Sequence, residues 1–171
     1  MSVPPASPPL PVVLLVVSDR AAEGVRPDKT ADLLRPVLAA AGYAPLEVLV
    51  VPDERAQIAA AIRAGAARAP LVLTTGGTGV ALRDVTPEAT RDVLEFEIPG
   101  LGEEMRRQSA TSNPKALGSR ALGGVVGRAV VLNLPGRPEG AVECFGHVAP
   151  VLAHLIALRR GAVPDASHEP R

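Results

Sequence analysis

Apolar runs that lead at once into glycine-, proline- or aspartate-rich loops constrain this chain more than any other feature. They are VVLLVV at 12–17, LEVLVV at 46–51 and LVLTT at 71–75. A strand that is apolar on both faces needs cover above and below, which is the environment of a parallel sheet between helices. The intervening patterns predict helices over 30–41 and 56–68, the second started by Pro52 and Asp53. Pro36 inside the first would kink it or set its first turn apart. Thr86-Pro87-Glu88 reads as an N-cap, a proline at the first helical position and an acid in the first turn. That helix is expected to reach residues 98–100, with another beginning near Leu101. Short β segments are expected over 122–127 and 129–132, joined by a tight Gly127-Arg128 turn. A final helical region over 139–160 is expected to break at Pro150. Strand alternating with helix gives an α/β fold class, three layers (α/β/α) around a mostly parallel central sheet. Residues 11–161 are expected to form one domain, with flexible segments at 1–10 and 162–171.

Composition removes several function classes. Lys and Arg total 18 and Asp and Glu total 18, so no broad basic field exists to collect a polyanion. The aromatic residues are Tyr43, Phe96 and Phe145, too few to stack successive bases. No nucleic-acid partner is expected. Cys144 is the single cysteine, which rules out an intramolecular disulfide and suits a small buried apolar residue. His147, His154 and His168 come late and lack a further ligand for zinc. The proline-rich start has no basic segment of a signal peptide, and the apolar run at 11–17 is too short for a bilayer. The expectation is a cytoplasmic protein without membrane association.

The loops carry the chemistry. In an open parallel sheet they gather at the carboxyl edge, where backbone N–H groups and helix N-termini favour anions. TTGGTG at 74–79 follows a strand directly, but it is neither a Walker A loop nor G-x-G-x-x-G. By itself it is a tight turn as readily as a phosphate cradle. Arg83-Asp84 precedes the Thr86-Pro87 helix start. A carboxylate there makes sense if a divalent cation lies between it and a phosphate, or if it caps the loop through backbone N–H groups. NLPGRP at 133–138 frees the backbone at Gly136 and offers Arg137 to phosphate. Arg106-Arg107 read as a solvated helix face.

The order SDR…DK, VVPD, TTGGTG…RDVTPEAT, PG…GE, SR and NLPGRP resembles the molybdopterin adenylyltransferase family, the MogA/MoaB-like group related to the gephyrin G domain. The resemblance runs over about residues 12–161 and implies the three-layer fold of that group, in homotrimers or dimers of trimers. It implies transfer of AMP from magnesium-ATP to the terminal phosphate of molybdopterin, with release of pyrophosphate. A non-catalytic molybdopterin carrier of the same pathway is the alternative, and a downstream metal-insertion enzyme is an implied partner. By the same resemblance Asp53 and Asp84 are catalytic and linked to Mg2+. Gly76, Gly77, Thr78 and Gly79, with Arg83, match the loop around the nucleotide and pterin phosphates. Ser119 and Arg120 match a pair lining the pterin pocket. Asn133, Pro135, Gly136 and Pro138 match the adenylate-side loop, and Ser18, Asp19, Arg20 and Asp28 match the first loop. The chain departs from the family pattern at Thr30-Ala31, Lys115 and Gly118.

Overall fold

A computed structural model describes residues 8–24 and 29–161. The expected flexible ends fall mostly on 1–7 and 162–171, and Asp28 on 25–28, outside the described residues. Six strands form one sheet in the order β2 (Tyr43–Val51), β1 (Leu10–Val17), β3 (Leu71–Thr75), β6 (Ala129–Leu134), β5 (Gly123–Val126), β4 (Phe96–Glu97). The first four run parallel, whereas β5 is antiparallel to β6 and β4 is antiparallel to β5.

Residue alternation along β1 sorts the helices into two layers. Val12, Leu14 and Val16 join one cluster with Leu34 and Leu38 of α2 (Thr30–Ala40), Leu101 and Met105 of α5 (Pro99–Ser109), and Phe145, Val148 and Leu152 of α6 (Pro138–Arg159). Val13, Leu15 and Val17 join the other with Ile58 and Ile62 of α3 (Arg55–Ala66) and Ala89 of α4 (Thr86–Arg91). Every residue from Val12 to Val17 is therefore buried, as a strand covered on both faces must be. The three-layer expectation holds.

Several elements differ from the sequence reading. The polar stretch after β1 contains a short helix, α1 (Asp19–Ala22), because the Ser18 side chain accepts a hydrogen bond from Ala21 N at 3.2 Å and caps it. Neither Pro36 nor Pro150 interrupts its helix. Buried residues on both sides of Pro150, Val148 and Leu152, pack on the core and outweigh the one lost backbone bond. By length and composition α6 alone among the described residues could cross a bilayer, but here its apolar side packs on the core. The helix from Thr86 stops at Arg91, and the next residues turn into β4, whose backbone pairs with β5. Its N-cap is Val85, and Thr86 lies in its first turn. Finally, β6 continues through Asn133 and Leu134, so the loop before α6 is only 135–137.

Candidate functional site

The loops that follow β1, β2, β3 and β6 come together at the carboxyl edge. Ser18 N donates to Val51 O (3.0 Å), which brings the ends of β1 and β2 side by side. Beyond that point two acids bridge the loops reciprocally: Asp19 N donates to Asp53 Oδ2 (3.0 Å) and Asp53 N donates to Asp19 Oδ1 (2.9 Å). Arg83 reaches in from the β3 loop, donating to Asp19 Oδ2 from Nη2 (2.8 Å) and Nε (3.1 Å) and to Glu54 Oε1 at 3.2 Å. The two acids are tuned in opposite directions. The Asp53 amide and the Arg83 guanidinium hold the Asp19 carboxyl below the usual carboxylate range. Burial pushes Asp53 up, against the Asp19 amide, and the charges of Asp19 and Asp84 add to the rise.

The glycine loop is pressed onto this pair. Gly76 and Gly77 have φ of +99° and +63°. A Cβ on Gly76 would lie 2.3 Å from Val17 O, and one on Gly77 would lie 2.4 Å from Thr86 Oγ1 and 3.1 Å from Asp53 Oδ1. Thr86 fastens the loop to α4, donating from Oγ1 to Gly76 O (2.9 Å) and from N to Gly77 O (3.1 Å). Asp84 closes its own turn: its Oδ2 accepts from Ala81 N at 2.9 Å and lies 2.8 Å from where a Gly79 Cβ would be. Asp53 Oδ1 and Asp84 Oδ1 accept no hydrogen bond among the described residues. Both sequence readings of Asp84 are thus compatible, one oxygen capping the loop and the other free.

Two clefts open on this edge. The larger, about 720 Å³, is lined by Thr78, Gly79, Ser119, Arg106 and Lys115 among others. The smaller, about 610 Å³, is lined by Ser18, Lys29, Thr75, Gly76 and Pro138. Gly136, Arg137 and Glu139 belong to both walls, so the clefts adjoin at the β6 loop. Pro135, whose carbonyl accepts from Thr75 Oγ1 at 2.8 Å, lines the larger.

The remaining sequence-predicted residues are not cleft walls. Asn133 is fully buried and donates from Nδ2 to Thr74 Oγ1 and Thr90 Oγ1, both at 2.9 Å, tying β6 to β3 and α4. Arg120 turns inward onto the glycine loop, donating to Gly79 O and Asp84 O at 2.6 Å and pairing with Glu88. Arg20 is exposed and no described residue pairs with it. Asp53, Asp84 and Arg83 line neither of these two clefts.

Lys29, Lys115 and Arg106 line clefts without having been singled out as site residues. Arg106 corrects the reading of a solvated face: its Nη1 donates to Ser119 O (3.2 Å) and Ala121 O (2.8 Å). The signal in the sequence was Gly102, four residues earlier, which leaves room for a folded-back guanidinium on one helix face.

Comparison with known proteins points the same way as this geometry. The family model described as a probable molybdopterin binding domain matches residues 13–154. The molybdopterin adenylyltransferase of Helicobacter pylori strain J99 is 39% identical over 152 residues, covering 86% of this chain and 86% of that protein. The enzyme of the same name from Escherichia coli strain K12 is 44% identical over 138 residues, covering 78% of this chain and 71% of that one. Among solved structures, the molybdopterin biosynthesis enzyme MoaB of Thermus thermophilus superposes with a TM-score of 0.81 at 45% identity, covering 89% of this chain and 97% of that chain. The Mog protein of Mycobacterium ulcerans gives a TM-score of 0.82 at 34% identity, covering 88% and 99%. With its sheet order, its glycine loop and its paired clefts, this chain belongs to the molybdopterin-binding family of molybdenum cofactor biosynthesis.

Proposed function

We propose that the protein is a molybdopterin adenylyltransferase, joining the terminal phosphate of molybdopterin to AMP from ATP and releasing pyrophosphate. The observation that carries this reading is the pair of clefts adjoining at Gly136 and Arg137, beside a glycine loop backed by two carboxylates. A transfer between two bulky substrates needs two chambers and one shared wall. We assign the larger cleft, with Ser119, to the pterin and the smaller, with Ser18 and Pro138, to the nucleotide. Arg137 on the shared wall and Lys29 and Lys115 on the outer walls supply positive charge to phosphates in each.

The donor set fits a hard divalent cation shared with phosphate. Asp53 and Asp84 each keep one carboxylate oxygen that accepts no hydrogen bond among the described residues, and the charge of Asp84 acts on Asp53. Among the described residues no group of three or more acids, histidines or cysteines is placed to hold a metal ion, so phosphate and water would complete the shell, as magnesium prefers. When bound, that cation neutralises charge on the phosphate oxygens. The protein's own part is positioning and fixed polarity. Glycine-loop amides approach the reacting phosphates, Arg137 holds them at the junction, and Asp19 and Arg83 keep Asp53 in place. The attacking phosphate monoester has a second pKa near 6 and is largely ionised at neutral pH. No general base is required.

The family resemblance further supports a homotrimer or a dimer of trimers in the cytoplasm, where the nucleotide substrate is abundant, with delivery of the product to a metal-insertion enzyme. Light scattering on the purified chain tests the assembly. The reaction is tested by mixing the protein with molybdopterin, ATP and magnesium and quantifying adenylylated molybdopterin and pyrophosphate beside an Asp84→Asn control. Product from the wild type and none from the folded variant supports the transferase. Tight pterin binding without product would make the chain a carrier.

A further inference from the structure

The loop that carries Asp84 has little to hold it. Residues 79–85 contain no helix or strand, and Val80 and Leu82 in it are strongly exposed. Its internal turn, Ala81 N to Asp84 Oδ2 and Asp84 N to Ala81 O (each 2.9 Å), fixes its shape but not its place on the body. The Arg83 bonds that leave it go to half-buried Asp19 and exposed Glu54. Its deeper attachment is Arg120. The Arg120 backbone N–H donates to Thr78 O (2.8 Å), Nε to Gly79 O and Nη2 to Asp84 O (2.6 Å each), and Nη1 pairs with Glu88 at the start of α4. One residue thus grips the loop at both ends. All three guanidinium nitrogens are engaged, and Arg120 lines neither cleft.

A guanidinium can do this only if its own backbone is held still. That is the place of Arg106, one helical turn after Gly102 on α5. Its Nη1 bonds both carbonyls flanking Arg120, Ser119 O and Ala121 O. The approach is close enough to exclude a side chain at Gly102, where a Cβ would stand 2.6 Å from Ala121 O and 3.1 Å from Arg106 Nη2. We infer that Gly102, Arg106 and Arg120 form a relay that positions Asp84: α5 fixes the backbone of 119–121, and Arg120 fixes the loop. Arg106 and Arg120 are positioning residues, and Arg120, which lines neither cleft, is not the grip on a substrate phosphate. The inference rests on the proposed role of Asp84 in the transfer.

The test uses the full chain carrying Arg120→Lys, Arg106→Lys or Gly102→Ala. At Arg120 lysine keeps the charge but cannot span three acceptors with a planar fork, and at Arg106 its stem is one bond too short to bring the donor to the place of Nη1. Two readouts are taken: backbone amide exchange of residues 79–84 without substrate, and kcat and KM for pterin and nucleotide. The expected result is exchange at 79–84 faster by about tenfold or more with β1 and β3 unchanged. With it, kcat falls about 10–100-fold while both KM values stay within about threefold, as expected for a displaced catalytic group. A pterin KM raised about tenfold at unchanged kcat would instead make Arg120 a substrate ligand and overturn the relay. Unchanged exchange and unchanged kcat in the folded variants would overturn it as well. Glu88→Gln, which weakens only the charged arm, carries the same readouts if a relay variant does not fold. Quickened exchange in a protein whose wild type shows no turnover would uphold the relay and place the failure in the proposed reaction.

Discussion

Two glycine turns of the same sheet make an instructive pair. Gly76 ends β3 at the carboxyl edge, and Gly127 joins β5 to β6 in a hairpin; both have positive φ, +99° and +56°. At Gly127 an added Cβ would meet nothing within 4 Å, whereas at Gly76 it would meet a backbone oxygen at 2.3 Å. The hairpin uses glycine for its conformation alone. The β3 loop uses it for conformation and for contact, because the chain must pass against β1 to bring its amides to the clefts. Positive φ by itself therefore does not mark a functional loop; at Gly76 it comes together with crowding by another part of the backbone.

Substitutions can break or sharpen this contrast. Gly76→Ala should have the largest effect, costing about 3 kcal/mol or more and abolishing turnover, because Val17 O cannot yield without moving β1. Chemical denaturation and the adenylyl-transfer assay would measure it. Asp53→Asn should also abolish turnover but leave stability intact, or slightly raised at pH above the ordinary carboxylate range. The folded-state pKa of Asp53 is raised, so ionising it in the fold costs stability as pH rises, and asparagine removes that cost. Thermal melts at acid and neutral pH test the sign. Gly127→Ala should cost only about 1–2 kcal/mol through left-handed strain and leave kcat unchanged. A loss of activity there would erase the distinction between the two turns.

The smallest effect belongs to the exposed surface. Glu104 is held down to about 2, chiefly by the Arg107 side chain and then by Gln108. A lowered pKa contributes stability above the unfolded value of 4.5 that is lost as pH falls toward about 2. Arg107→Ala should shift the Glu104 titration upward by NMR while the melting temperature at neutral pH stays within error.

How far the sequence was legible follows from the range of the interactions involved. Strands β1 and β3 were legible because burial on both faces makes every position apolar, and the glycine loop because its sequence leaves few alternatives. Pro150 misled because a local backbone penalty was weighed without Val148 and Leu152, whose packing partners lie far away in sequence. The two residues of β4 carry no periodicity at all; they are a strand only because β5 is beside them. At the site, Asp53 and Asp84 could be singled out from their loops and the family pattern, but nothing local says that Asp53 would be locked to Asp19, 34 residues away. Arg106 was read as solvent-facing for the same reason: its acceptors are carbonyls at 119 and 121, and Gly102 was the one local sign of them.

The wall shared by the two clefts has a consequence for the order of events. A molecule that fills one chamber gains only the contacts of that chamber, but on the proposed assignment of the clefts the joined product would span both. Tethering the two halves makes the second engagement intramolecular, at an effective concentration far above that of either free substrate. The product should therefore outstay both reactants, so that its departure, not its formation, sets the pace. A protein built this way would work best as one station in a handover, with the next protein lifting off what it holds.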